Sequence, residues 1–439
     1  MTKLLIEGGY SLKGTVSLLG AKNASIKLLI ASLLTKEECR FFRMPDIGDV
    51  KTTAAIIQAF GGKVKKRDNH TFSLINRNLT SFEVPANLGQ KSRSASIFVG
   101  PLISRFGQAV WPQPGGCQIG RRPIERHLEG LKKMGIKINF ESGTYRAKAE
   151  KMKGITYAFP KNTHSGTETL IIAAVLAEGK TVLENAAQEP EVDDLISFLS
   201  KMGAKIERIK PRVIEIEGVK KLHGAVHKMM FDRNEAVTFA CAALSTKGDI
   251  FVKNAESKYL TAFLENLKKI GAGIEIKDSG IRFFYKTLLK ASNIVTKPHP
   301  GFMTDWQALW TVLMTQAKGT SVVHETIFEN RFGYVSYLQK MGAKIKFFHP
   351  QVKNPQKFYN FNLEDNQTGY FHAIRITGPT LLNGAKISIP DIRAGATLIL
   401  SALIARGKTI LSNIDHIDRG YENLDGRLRA LGAKIERIQ

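Results

Sequence analysis

Residues 114–127 read Pro-Gly-Gly-Cys-Gln-Ile-Gly-Arg-Arg-Pro-Ile-Glu-Arg-His, which sets the thiol of Cys117 within five residues of the paired guanidinium groups of Arg121 and Arg122. A proline and two glycines keep that thiol out of regular structure. Neighbouring cations favour the thiolate, so the cysteine reads as reactive rather than merely packed. Arginine pairs suit planar, bidentate recognition of phosphate and carboxylate. The segment therefore combines a reactive group with an anion site. A loop cysteine beside solvated arginines is the bland alternative, and the order Pro-Gly-Gly-Cys-x-Ile-Gly-x-Arg-Pro speaks against it.

More charged and amide side chains recur at matching turns. The patterns Gly8-x3-Leu12-x-Gly14, Gly218-x3-Leu222-x-Gly224 and Gly378-x3-Leu382-x-Gly384 each follow an apolar alternation and precede another strand. Eight or nine residues beyond the last glycine come Lys22 and Asn23, then Asp232 and Arg233, then Arg393 with Asp391 just ahead. Helix N-termini at such turns favour anions. N-capping accounts for Asp and Asn there but not for Lys22 or Arg393.

The elements that must carry these turns repeat. Phe60-Gly61-Gly62-Lys63-Val64, Met134-Gly135-Ile136-Lys137-Ile138, Met202-Gly203-Ala204-Lys205-Ile206, Ile270-Gly271-Ala272-Gly273-Ile274, Met341-Gly342-Ala343-Lys344-Ile345 and Leu431-Gly432-Ala433-Lys434-Ile435 each close an amphipathic run. In the third, Val192, Leu195, Ile196, Leu199 and Met202 fall on one helical face. The glycine is a C-cap and an alternating strand follows. Further glycines upstream (Gly107, Gly179, Gly248, Gly319, Gly407) end apolar helices and open strands; the first unit has Thr35-Lys36-Glu37-Glu38 instead. The unit is helix, strand, helix, strand, strand, and six copies fill the chain. Three before about residue 230 and three after predict two similar domains with a cleft that closes on substrate.

Composition narrows the class. The 439 residues, 43% hydrophobic and 23% charged, are those of an ordinary globular chain of two or three domains. No apolar run reaches the roughly 18 residues a membrane span needs, and Met1–Gly8 has no signal-peptide core. Cys39, Cys117 and Cys241 are too scattered for a disulfide framework or a Cys-x-x-Cys metal site. A reduced, cytoplasmic protein without structural metal is expected. The net charge of +25 would suit a polyanion, but the lysines are spread and no basic block stands out. Specific nucleic-acid binding and membrane binding are not expected.

Gly179-Lys180-Thr181 and Gly407-Lys408-Thr409 mimic a P-loop end, but Ala174 and Ala402 stand where the earlier glycine is required. Gly9 to Gly14 has the spacing and then Thr15 in place of lysine. His127, His164, His299 and His416 form no metal pattern, and Trp111, Trp306 and Trp310 read as packing residues.

Taken together, several segments resemble the UDP-N-acetylglucosamine enolpyruvyl transferase family. They are Gly20-Ala21-Lys22-Asn23-Ala24, Arg93 with Ala95-Ser96-Ile97, the Cys117 loop, Glu184-Asn185-Ala186-Ala187, Thr304-Asp305-Trp306-Gln307, Phe328-Glu329-Asn330-Arg331-Phe332 and His416-Ile417-Asp418-Arg419-Gly420-Tyr421-Glu422. The likeness runs end to end. It implies an α/β fold of two inside-out α/β domains, each of three repeated helix-strand-helix-strand-strand units, with an interdomain active-site cleft. Residues 21–230 would form the first domain, carrying the cysteine loop; residues 1–20 and 231–439 would form the second. The related 5-enolpyruvylshikimate-3-phosphate synthases share fold and chemistry but lack the loop cysteine.

The resemblance implies transfer of the enolpyruvyl group of phosphoenolpyruvate to the 3-hydroxyl of UDP-N-acetylglucosamine, early in peptidoglycan synthesis, without metal or organic cofactor. It makes Cys117 the proton donor and the target of the epoxide fosfomycin. It gives the phosphate to Lys22, Arg122 and Arg419, the carboxylate to Arg331 and Arg393, and the hydroxyl proton to Asp305. Asn23, Arg93, Arg122, Pro123, Ile124, Glu125, Arg126, Lys161, Asn162, Thr163, His164 and Ile327 would line the sugar-nucleotide site. Arg126 stands where leucine is usual and can stack its guanidinium on the uracil. Thr163-His164-Ser165-Gly166-Thr167 replaces the commoner Ser-Val-Gly-Ala-Thr. Two rivals are a shikimate-pathway enzyme and a silent paralogue that binds polyanions. Loss of Cys117, Asp305 or Lys22 would have favoured the second, and all three are present. The oligomeric state is not legible.

Overall fold

A computed structural model describes residues 2–115 and 120–439 of the chain. Contacts divide the described residues into two compact units, one of residues 20–115 and 123–230, the other of residues 2–19, 120–122 and 231–439. Gly120, Arg121 and Arg122 group with the second unit, where two carboxylates hold Arg121.

All six expected repeats are present. The third shows the plan: helix His164–Ala174, strand Lys180–Glu184, helix Pro190–Lys201, then the hairpin strands Lys205–Lys210 and Val213–Glu217. Pro190 opens its helix at a position where a missing N–H costs nothing. The repeated glycine ends each second helix: Gly61, Gly135, Gly203, Gly271, Gly342 and Gly432 all have φ between 84° and 104°. A side chain there would be strained, which is why the phrase recurs.

Each repeat adds a sixth element, a short parallel pairing at the sheet edge, and the glycine-leucine-glycine patterns announce it in three of them, as strands Lys13–Ser17, Val226–Lys228 and Lys386–Ser388. Thr156–Ala158 runs beside Lys180–Glu184, and Lys13–Ser17 beside Asp249–Lys253. In the second repeat it shrinks to a single bridge, Glu83 with Val110. The sixth sheet is completed by the N-terminal strand Lys3–Glu7, which pairs with both Lys408–Ser412 and Lys434–Ile438.

The helices that open the repeats are largely buried, and of these Val99–Phe106 leaves Ser104, Arg105 and Phe106 half-buried. Arg233–Ser245 is buried throughout, and Lys22–Ala31 from Ala24 onward. In the second unit, helices Arg233–Ser245, Thr304–Thr315 and Ile392–Ile404 pack mutually, with sheets outside them. Helices therefore form the core and hydrophobic-in, polar-out strands the shell. Trp306 and Trp310 belong to that core, edge-on to Phe263 and Phe302. Among the described residues no helix is long and apolar enough to cross a membrane.

Candidate active site

In the first unit the sugar-nucleotide and phosphate candidates sit on helix starts. Lys22 opens helix Lys22–Ala31, and its ammonium lies 3.0 Å from the buried carboxylate of Asp49. One turn on, Lys27 donates to the carbonyl of Asn23 at 2.7 Å and reaches Glu168 at 3.1 Å. Glu168 is fully buried and also meets His164 Nε2 at 3.1 Å, so one carboxylate ties helix Lys22–Ala31 to the start of helix His164–Ala174. Burial opposes the charged form of His164, but Glu168 beside it outweighs this and raises its pKa. Thr163 caps the same helix, accepting from the amide of Gly166 at 3.2 Å. Lys161 precedes it, and Asn162 donates to the carbonyl of Asn185 at 3.0 Å. Amides left unpaired at a helix start favour an anion.

Arg93 starts a short 3-10 helix and donates to the carbonyl of Pro114 at 3.4 Å. Pro123 and the buried Ile124 lead into helix Glu125–Lys133, whose first turn holds Glu125 and Arg126. The carbonyl of Arg126 accepts from the Tyr157 hydroxyl at 3.1 Å. His127, next along, touches Ser165 at 3.3 Å. Burial, with Arg93 and Arg126 as nearby cations, pushes His127 down to about 3. It is neutral at physiological pH and works as a packing and hydrogen-bonding group.

In the second unit the carboxylate candidate and its arginines come together. Asp305 lies in the first turn of helix Thr304–Thr315. One of its oxygens meets Arg331 at 3.3 Å and the other Arg393 at 2.8 Å. Arg393 starts its helix behind Asp391, which accepts from the amides of Arg393 and Ala394 at 2.9 and 3.2 Å. Capping and cation placement thus coexist at that turn. Burial disfavours the Arg393 cation, yet Asp305 more than compensates and raises its pKa. The Tyr421 hydroxyl accepts from Arg393 at 3.3 Å. Arg419 follows the short helix Asp415–Asp418. The amides of Ile327 and Phe328 donate to buried Glu325 at 2.7 and 3.2 Å, which fixes the approach to Arg331.

Phe328 has the Arg122 guanidinium 5.8 Å from its ring centroid and that of Arg331 at 6.0 Å. A ring face within this distance attracts both cations. Arg122 has φ of 52°, a left-handed conformation that costs a non-glycine residue about 1–2 kcal/mol. Cys117 lies outside the described residues. The other thiols, Cys39 and Cys241, are buried, and burial drives Cys39 up to about 11 and Cys241 higher still. Neither is poised to react.

Sequence reasoning missed Asp49, Glu168 with Lys27, Glu325 and Asp365 among the groups that hold these candidates, and it named Glu329 and Tyr421 within motifs without giving them this role. Only the His164–Glu168 spacing of four, which stacks two side chains on a helix, was available as a signal. Among the described residues no group of three or more His, Cys, Asp and Glu side chains is placed to hold a metal ion.

The family model described as EPSP synthase (3-phosphoshikimate 1-carboxyvinyltransferase) matches residues 6–428. The UDP-N-acetylglucosamine 1-carboxyvinyltransferase of Koribacter versatilis is 42% identical over 441 residues, covering 100% of this chain and 97% of that one. Its counterpart in Idiomarina loihiensis is 39% identical with 100% of both chains covered. Among solved structures, the enolpyruvyl transferase NikO from Streptomyces tendae superposes with a TM-score of 0.86 at 22% identity, over 99% of this chain and 98% of that one. EPSP synthase from Acinetobacter baumannii gives 0.73 at 18%, with both chains covered fully. These two likenesses bear on the fold, the full-length relatives on the branch within it. On both grounds, the chain belongs to the UDP-N-acetylglucosamine 1-carboxyvinyltransferase family of enolpyruvyl transferases.

Proposed function

We propose that the protein transfers the enolpyruvyl group of phosphoenolpyruvate to the 3-hydroxyl of UDP-N-acetylglucosamine and releases phosphate, the committing step of peptidoglycan synthesis. The observation that carries this is Asp305 held between Arg331 and Arg393. Two guanidiniums bracketing a carboxylate form a ready carboxylate site. The phosphoenolpyruvate carboxylate takes over Arg331 and Arg393, and that exchange frees Asp305 to accept the hydroxyl proton.

The sugar oxygen then adds to C2 of phosphoenolpyruvate while the Cys117 thiol protonates C3, giving a tetrahedral ketal. Loss of a C3 proton and cleavage of the C2–O bond to phosphate regenerate the enol. Lys22, Arg122 and Arg419 take the charge of the departing phosphate. Asn23, Arg93, Pro123 to Arg126, Lys161 to His164 and Ile327 bind the sugar nucleotide, with Arg126 against the uracil.

The test is phosphate release by the purified chain. It should require both phosphoenolpyruvate and UDP-N-acetylglucosamine. Release with shikimate 3-phosphate in place of the sugar nucleotide would move the protein to the other branch of the fold.

A further inference from the structure

The fifth repeat departs from the other five. Where a repeat closes with a sequential hairpin, the connection is short: residues 67–70, 142–143, 211–212 and 278–279. Strands Lys344–Phe348 and Ala373–Gly378 pair in the same way, yet residues 349–372 intervene. This excursion is anchored. Tyr359 and Phe361 are buried against His372, the Tyr359 hydroxyl meets His324 at 3.1 Å, and the amide of Asn360 donates to the carbonyl of Thr326 at 2.7 Å. It thereby backs the segment that carries Ile327, Phe328, Glu329 and Arg331.

From the excursion Asp365 reaches Arg121. Its carboxylate is buried, takes a hydrogen bond from Asn362 at 3.0 Å and pairs with the Arg121 guanidinium at 2.7 Å. Buried Glu329 accepts from the Arg121 amide as well. Gly120 fits beneath that carboxylate only because it lacks a side chain: a Cβ there would lie 2.5–2.7 Å from the Glu329 carboxylate atoms, at a φ of 134°. Backbone and side chain of one residue are thus held by two acids, immediately before Arg122 with its left-handed φ. A strained conformation persists when its surroundings over-determine it.

We propose that the 349–372 excursion is a positioning element: Asp365, acting with Glu329, clamps Arg121 so that Arg122 presents its guanidinium over Phe328 for the phosphoenolpyruvate phosphate. The role of Arg122 rests on the functional reading above; the clamp itself does not. An ordinary half-exposed ion pair contributes little, so the alternative is a contact without consequence.

Two measurements on the full-length chain separate these. In steady-state kinetics, Asp365→Ala and Arg121→Ala should each raise KM for phosphoenolpyruvate about tenfold, the scale of one charged hydrogen bond. The kcat and the KM for UDP-N-acetylglucosamine should hold, and the double variant should be no worse than either single one. Arg121→Lys, which keeps the charge, should recover part of the loss. Additive effects, or KM values that rise for both substrates together, would overturn the proposal. In hydrogen exchange by mass spectrometry, Asp365→Ala should lose protection in peptides spanning residues 120–128 and keep it in strands 344–348 and 373–378. Unchanged exchange at 120–128 would also overturn it. This second arm needs no turnover, so an inactive wild type would defeat the functional reading and leave the clamp still decided.

Discussion

Asp305 is where single-residue chemistry is most exposed to test. Its partners Arg331 and Arg393 lie 26 and 88 residues away in sequence, so no spacing could have paired them. The sequence named all three and gave them roles by resemblance, but not that one carboxylate bridges both arginines. Asp305→Asn keeps size and hydrogen bonding while removing the proton acceptor. Its kcat should fall by about 100- to 10,000-fold, the usual range for a general base, while sugar-nucleotide binding measured by calorimetry changes far less. Near-normal turnover would take Asp305 out of the mechanism. The thiols give a second test. With Cys39 and Cys241 buried and hard to ionise, fosfomycin should add once, at Cys117, in intact and peptide mass spectra. Cys117→Asp should escape the adduct and keep some activity, because a carboxylic acid can still deliver a proton. An adduct on Cys39 or Cys241 would contradict the assignment.

Helices, strands and their glycine stops were legible because each repeat obeys the same periodicity and needs a left-handed residue at the same turn. The 349–372 excursion was not, because nothing in it is periodic. Aromatic packing of Tyr359 and Phe361 on His372 and His324 sets its course instead. That packing has a pH signature. Burial holds His324 down to about 4, and burial with the neighbouring His349 and His324 holds His372 down to about 4. Neither ring nitrogen of His372 has a hydrogen-bond partner among the described residues. A histidine whose folded pKa is depressed binds its proton more readily when unfolded. Its contribution is therefore complete above pH 6.5 and is lost as pH falls from there towards 4. His127, at about 3, adds to the same loss. Urea midpoints should accordingly drop across that window, and His372→Phe, which keeps an aromatic ring without a titrating group, should drop less. An identical decline in both proteins would show that the acid sensitivity lies elsewhere.

At the scale of the whole chain, the formal charge of +25 is the property that the repeats and the site leave unexplained. The six-fold repetition set the fold class from sequence, whereas the grouping of residues 120–122 with the second unit depended on Glu329 and Asp365 and could not be read from order alone. Charge, by contrast, is fully legible and says least, because its effect depends on how far it is screened. Both proposed substrates are anions, so a positive field should speed their encounter. That effect decays over a Debye length of about 8 Å at physiological ionic strength. A DNA duplex would meet the same field, without a basic block to grip successive phosphates. Its binding should be weak, indifferent to sequence and steeply reduced between roughly 50 and 200 mM salt, as counterion release requires. Over that range kcat/KM for UDP-N-acetylglucosamine should decline only modestly, since contacts inside the site are less screened than the surface field. Fluorescence anisotropy with two unrelated duplexes, run beside the kinetic titration, measures both. Tight binding to one duplex at 150 mM salt, with activity displaced by it, would revive a polyanion-binding role for this chain.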